Sequence, residues 1–140
     1  MRNIGIWLDK KKAHIVSIYN GKESLNTILS DVEDFHIHGG SGTRLKGGPQ
    51  DVVQDSRYLE REKHQLKMYF DAIIDEIKNA DEIVIFGPAE TGEKFYKNLI
   101  EKHFDLSFKV KEVAKTDSMT KNQIKAWVKE FYDPKKIRSF

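Results

Sequence analysis

Apolar residues alternate along Asn3–Leu8, two further β-rich runs follow up to residue 29, and helical spacing sets in from about residue 57, with a glycine-rich stretch between the two regimes. That switch limits the fold more than any other feature. A period of two specifies strands with distinct faces, and a period of about 3.6 specifies helices. Asn3–Leu8 reads as a first strand, with Ile4, Ile6 and Leu8 alternating with Gly5 and Trp7. Asp9-Lys10-Lys11-Lys12 reads as a polar turn and Ala13–Tyr19 as a second strand. Asn20-Gly21 is a strong hairpin signal, so Glu23–Leu29 becomes the third strand of a meander. Phe35–His38 reads as a last extended piece.

The second regime alternates helices with short apolar strands. Arg57–Asn79 is a helix with Leu59, Leu66, Phe70, Ile73, Ile74 and Ile77 on one stripe, capped by Asp55 or Ser56. Glu82–Phe86 is a strand of the kind buried on both faces, ended by Gly87-Pro88. Glu90–Phe104 is a helix with Phe95, Leu99 and Ile100 inward, and Ser107–Val113 a strand. Thr120–Tyr132 is a helix with Ile124, Trp127, Val128 and Phe131 inward, opened by a Thr120/Gln123 capping box. Residues 133–140 form a tail. Without repeats or a dividing linker, residues 1–140 read as one domain. The order predicts an α/β fold in three layers, α/β/α. Its mixed sheet starts as an antiparallel meander and continues in parallel β-α-β-α units.

At 39% hydrophobic residues the chain can build a core. It has no cysteine, which excludes disulfides and thiolate zinc sites. No apolar run approaches the roughly 18 residues of a membrane span, and no signal sequence opens the chain. The reading is a cytoplasmic protein without a membrane partner. A net charge of +2 with 33% charged residues makes the placement of charge more informative than its sum.

Four constellations invite chemistry. Gly87–Lys94 joins a strand to a helix as a phosphate loop does, but Glu93 breaks the Gly-Lys-Ser/Thr spacing, and Glu90 and Glu93 repel a phosphate. His36 and His38 face one way on a strand, with His14, His64, Asp31 or Asp34 as possible third ligands. No ligand spacing accompanies them, so neither a metal nor any other cofactor is assigned. Asp9 closes the first strand, where a two-metal nuclease of the ribonuclease-H type places a carboxylate; Glu60 and Asp117 are its candidate partners. Arg57, Arg61, His64 and Lys67 sit near one helical face, with Glu60 and Glu62 interleaved.

The glycine-rich loop, residues 39–56, is expected to be exposed. Five of the nine glycines fall at Gly39, Gly40, Gly42, Gly47 and Gly48, and Arg44 and Lys46 are the only charges before residue 51. Glycines allow close backbone approach, and the cations point to an anionic partner. With Arg57, Arg61 and Lys67 they form a candidate cationic track for an RNA backbone.

Lys46-Gly47-Gly48-Pro49-Gln50 resembles the basic Gly-Gly-Gln loop in the catalytic middle domain of eukaryotic and archaeal class-1 peptide-chain release factors and Pelota. Asp55-Ser-Arg-Tyr-Leu-Glu-Arg-Glu-Lys-His64 is similar to that family's loop-exit helix. Ile83-Val-Ile-Phe-Gly-Pro-Ala-Glu-Thr-Gly-Glu-Lys-Phe95 resembles its central strand, glycine turn and helix. The chain thus looks like a single-domain, bacterial-type relative, with a fold of the ribonuclease-H-like, translational-machinery type. The resemblance implies the ribosome and peptidyl-tRNA as partners and no cofactor. Gly47 and Gly48 would shape the loop, Gln50 would stabilise the oxyanion as water attacks the ester, and Arg44 and Lys46 would contact rRNA phosphates. Pro49 departs from the pattern, moving the glutamine one residue on. Two activities stay open on this basis: hydrolysis of peptidyl-tRNA on stalled ribosomes, or occupation of the peptidyl-transferase site without chemistry. A non-catalytic binding module on the same fold and the Asp9 nuclease are the alternatives.

Overall fold

The structure, a computed structural model, describes residues 1–30 and 48–133, with side chains described from residue 60 onward in the second stretch. Strands β1 (Arg2–Leu8), β2 (Lys12–Tyr19) and β3 (Lys22–Leu29) form an antiparallel meander. Helix α1 (Gly48–Ile77) leads to β4 (Glu82–Gly87), α2 (Thr91–Lys102), the short α3 (Phe104–Ser107), β5 (Val110–Lys115) and α4 (Lys121–Phe131). The described strands make one sheet in the order β3-β2-β1-β4-β5, with β1–β4 and β4–β5 parallel. The mixed sheet of the expected kind is therefore present.

Alternation along the strands divides the core in two. Ile4, Ile6, Leu8, Ile15, Ile83 and Ile85 point to one face, where Tyr69, Phe70, Ile73, Ile74 and Ile77 of α1 and Phe95 and Leu99 of α2 cover them. Trp7, Val16 and Phe86 point to the other face and meet Ile124 and Val128 of α4. Helices on both faces of one sheet give the three layers. Trp127 adds its ring to the second core, stacked on Phe86 with centroids 3.9 Å apart.

The hairpin signal holds: Asn20 at φ 53° and Gly21 at φ 78° make the two-residue turn that pairs Tyr19 with Lys22. The capping box on α4 is formed too, with Gln123 N–H donating to Thr120 Oγ1 at 3.2 Å and Thr120 N–H to Gln123 Oε1 at 2.9 Å.

Other boundaries differ from the sequence reading. Helix α1 begins at Gly48, not near Arg57, so Gly48-Pro49-Gln50 is its first turn rather than loop. Proline is tolerated there because the first N–H groups of a helix lack intrahelical acceptors. Helix α2 stops at Lys102, and Phe104–Ser107 coils again with Ser107 Oγ donating to the Phe104 carbonyl at 2.6 Å. That extra turn buries Leu106 and delays β5 to Val110. Ile100 does not face inward; it is 41% exposed, while Trp127 and Phe131 are half-buried. Tyr69, absent from the expected stripe, is 3% exposed.

Candidate functional site

Helix α1 runs antiparallel to β1. Its last turn leads to Asp81, whose N–H donates to the Arg2 carbonyl at the start of β1. Farther back, the Tyr69 hydroxyl donates to the Asp9 carbonyl at 2.9 Å, just past the end of β1. Burial, with the Asp9 charge adding, pushes the Tyr69 phenol well above its ordinary range, so it stays a neutral donor. One helical turn or two toward the N-terminus, Glu62 meets Lys10 of the β1–β2 turn at 2.6 Å. The N-terminal part of α1 therefore leaves the body beyond the carboxyl ends of β1 and β4. Open α/β sheets place ligands at that end.

From Gly48 to Glu62 the helix rises about 21 Å at 1.5 Å per residue. Pro49 carries no N–H, and the remaining N–H groups of the first turn, that of Gln50 among them, have no acceptor within the helix and sit at the positive end of the macrodipole. A donor of this kind suits a developing oxyanion.

Among the candidate residues, Gly48 and Gln50 lie in this first turn. Arg44, Lys46 and Gly47 fall outside the described residues, as do the Phe35–His38 piece and most of the glycine-rich loop. The tail from residue 134 does too. Arg57 is in α1, with its side chain outside the description. Arg61 is exposed on α1. Lys67 is exposed and paired with Asp71 at 3.0 Å, and it lines a groove against α2 of which Arg61 is not a part.

The competing constellations resolve locally. Asp9 Oδ1 accepts the N–H groups of Lys11 and Lys12, both at 2.8 Å, which makes it the cap of the β1–β2 turn. Glu60 and Asp117 are exposed, and no group of three His, Cys, Asp or Glu side chains suited to a metal ion occurs among the described residues. His14 is buried, stacked on Trp7 and held by Thr27 Oγ1 at 2.8 Å from Nδ1. Burial first, then the charges of Lys121 and Lys12, hold its pKa below the ordinary 6.5, against a smaller opposing effect of Asp9. In the Gly87–Lys94 turn, Glu93 faces Lys115 at 3.8 Å, and Lys94 belongs to the groove between α1 and α2.

Helices on both faces of a mixed five-stranded sheet, with a long helix leaving its carboxyl edge, define a three-layer α/β domain. That arrangement is similar to part of the Pelota proteins. The Archaeoglobus fulgidus Pelota structure aligns over 99% of this chain and 33% of its own, at 8% identity and a TM-score of 0.60. Thermoplasma acidophilum Pelota aligns over 87% of this chain and 30% of its own, at 17% identity and a TM-score of 0.52. Dom34 of S. cerevisiae, a translation termination-like factor involved in RNA quality control pathways and interacting with Hbs1, aligns over 94% of this chain and 32% of its own. Its identity is 14% and its TM-score 0.51. The chain spans about a third of the length of each, and at these identities the likeness is one of fold. No protein-family model matches the chain, and no curated protein matches it by sequence. No helix among the described residues is long and apolar enough to cross a membrane.

Proposed function

We propose that the chain is a release-factor-like translation factor that presents its Lys46-Gly47-Gly48-Pro49-Gln50 segment to peptidyl-tRNA at the ribosomal peptidyl-transferase site. The observation that carries this reading is positional. The glycine-rich segment directly precedes in sequence the N-terminus of α1, a helix that crosses the carboxyl ends of β1 and β4 in a fold similar to that of Pelota. Gly47 and Gly48 let the backbone enter a crowded RNA pocket, and Arg44, Lys46, Arg57, Arg61 and Lys67 provide cations for its phosphates. The Gln50 N–H, free of an intrahelical acceptor, stabilises the tetrahedral oxyanion while its side chain orients water toward the ester carbonyl. The ester C–O bond then breaks, the tRNA ribose oxygen leaves with a proton, and the peptide departs as a carboxylic acid.

Pro49 supports a second reading, occupation of the site without hydrolysis. It inserts one residue between Gly48 and Gln50, which in the first turn of α1 moves the donor by about 1.5 Å along the axis and turns it by roughly 100°. One experiment separates the two: peptidyl-tRNA release and ribosome co-sedimentation measured together for wild type and Gln50→Ala. Hydrolysis predicts release by wild type, its loss in the variant and unchanged co-sedimentation. Co-sedimentation of both without release supports occupation. Absence of both in wild type rejects the ribosomal assignment.

A further inference from the structure

We propose that the groove between α1 and α2 is a separate anion site that holds the phosphate backbone of RNA without reading its sequence. This open groove has a volume of about 460 Å³. Lys63 and Lys67 line it from α1, and Lys94, Lys97 and Lys102 from α2, with Glu101 the single acidic lining residue among the described residues. Five cations against one anion is a strong local excess in a chain whose total charge is only +2. Lys67 is engaged by Asp71, whereas the other four lysines have no carboxylate partner among the described residues. Asn98 also lines the groove.

The geometry favours a nucleic-acid backbone over an acidic peptide. Lys63 and Lys67 stand about 6 Å apart along α1, and Lys94 and Lys102 about 12 Å apart along α2, so two rows of cations flank one channel. A nucleic-acid strand offers one charge per roughly 3.4 Å and can meet both rows continuously. The floor offers little to a peptide, since Phe70 is 5% exposed and Leu66 half-buried, leaving small apolar purchase for a docking helix. Lysines without arginine forks act as point charges, and among the described residues no arginine and no exposed aromatic ring lines the groove for base stacking. Both features point to contact that ignores base identity. The site stands apart from the chemistry proposed at Gln50, because naked RNA binding requires neither a ribosome nor that residue.

Fluorescence anisotropy of a labelled 20-nucleotide oligouridine against the full chain tests this over a range of salt. Lys63→Gln/Lys94→Gln/Lys102→Gln should weaken binding by roughly tenfold or more at about 0.1 M salt. It should also make the slope of log affinity against log salt shallower by about 2, three lost contacts at ~0.7 each on a single strand. Lys111→Gln/Lys115→Gln/Lys125→Gln removes the same charge from β5 and α4 and should leave most of the affinity. Thermal unfolding of both variants checks that they fold. Equal losses in the two triple variants, or no binding by wild type, would overturn the proposal. Competition by polyglutamate as effective as by unlabelled oligouridine would also overturn it, in favour of an acidic peptide. Gln50→Ala should bind oligouridine as wild type does, so failure at the loop and failure at the groove give different results.

Discussion

At the scale of single residues, Gly5 and Gly87 occupy places that no other side chain fits. A Cβ on Gly5 would lie 2.3 Å from Val128 Cγ2 and 2.9 Å from Cγ1. This closeness is what lets α4 lie against β1. Gly5→Ala should therefore cost about 1–3 kcal/mol by overpacking. The loss should show as a lower urea midpoint and be partly recovered in Gly5→Ala/Val128→Ala. Gly87 differs in kind: its φ is +144°, and a Cβ would meet the Leu8 carbonyl oxygen at 2.4 Å. Backbone cannot be trimmed, so no second-site truncation should rescue Gly87→Ala. His14 gives the fold a pH dependence. Its folded pKa lies below 6.5, so the unfolded chain takes up the proton first as the medium acidifies. Stability associated with His14 is full above pH 6.5 and falls as pH drops below that value toward the lowered folded pKa. The difference in urea midpoint between pH 7.5 and pH 5.5 should be smaller in His14→Gln than in wild type. An equal difference would mean that His14 does not govern this window.

At the scale of elements, local signals and packing carry different parts of the structure. Thr120→Ala removes one half of the capping box and should cost about 1 kcal/mol, measured as a reduced urea midpoint. The box was readable in the sequence because both partners lie within one turn. The meander was readable for the same reason: Ile4, Ile6 and Leu8 keep the period of two, and Asn20-Gly21 closes the turn. Less legible was anything decided at a distance. Gly48-Pro49 looks like a helix breaker, yet the first turn of a helix is where proline costs nothing, so α1 starts earlier than its apolar stripe. Ser107-Phe108-Lys109 has strand character, but burial of Leu106 holds Phe104–Ser107 as a helical turn. Ile100 shares the spacing of an inward position on α2 and remains 41% exposed.

At the scale of the molecule, the two sides of the sheet differ in what they present. Among the described residues one side carries α4, closed by the aromatic stack of Phe86, Trp127 and Phe131. The other carries α1 and α2 with lysines along their junction. That junction could not be seen along the chain, because Lys63 and Lys67 are separated from Lys94, Lys97 and Lys102 by a strand and two turns. The only trace was the recurrence of lysine at helical spacing in both segments. Asp9, which looked like a candidate metal ligand from its place after β1, has one carboxylate oxygen, Oδ1, committed to the turn that follows. The glycine-rich segment and the cations near it were legible as a motif. Its junction with the first turn of a long helix was not.

That helix has the geometry of a lever. Its last part, from Tyr69 to Ile77, is clamped in the core, while about 21 Å of it precedes Glu62. A tilt of about 10° at Glu62 displaces Gly48 by ~4 Å over that length, more than the tolerance of any hydrogen bond. Aim is therefore set at the root, by the Tyr69 hydroxyl on Asp9 and the Glu62 carboxylate on Lys10. Tyr69→Phe/Glu62→Gln should keep its far-ultraviolet circular dichroism and lose about 1 kcal/mol of stability, and under the hydrolytic reading proposed above it should release peptide more slowly than wild type. Undiminished release by that variant would mean that the pointing of the free end is fixed elsewhere.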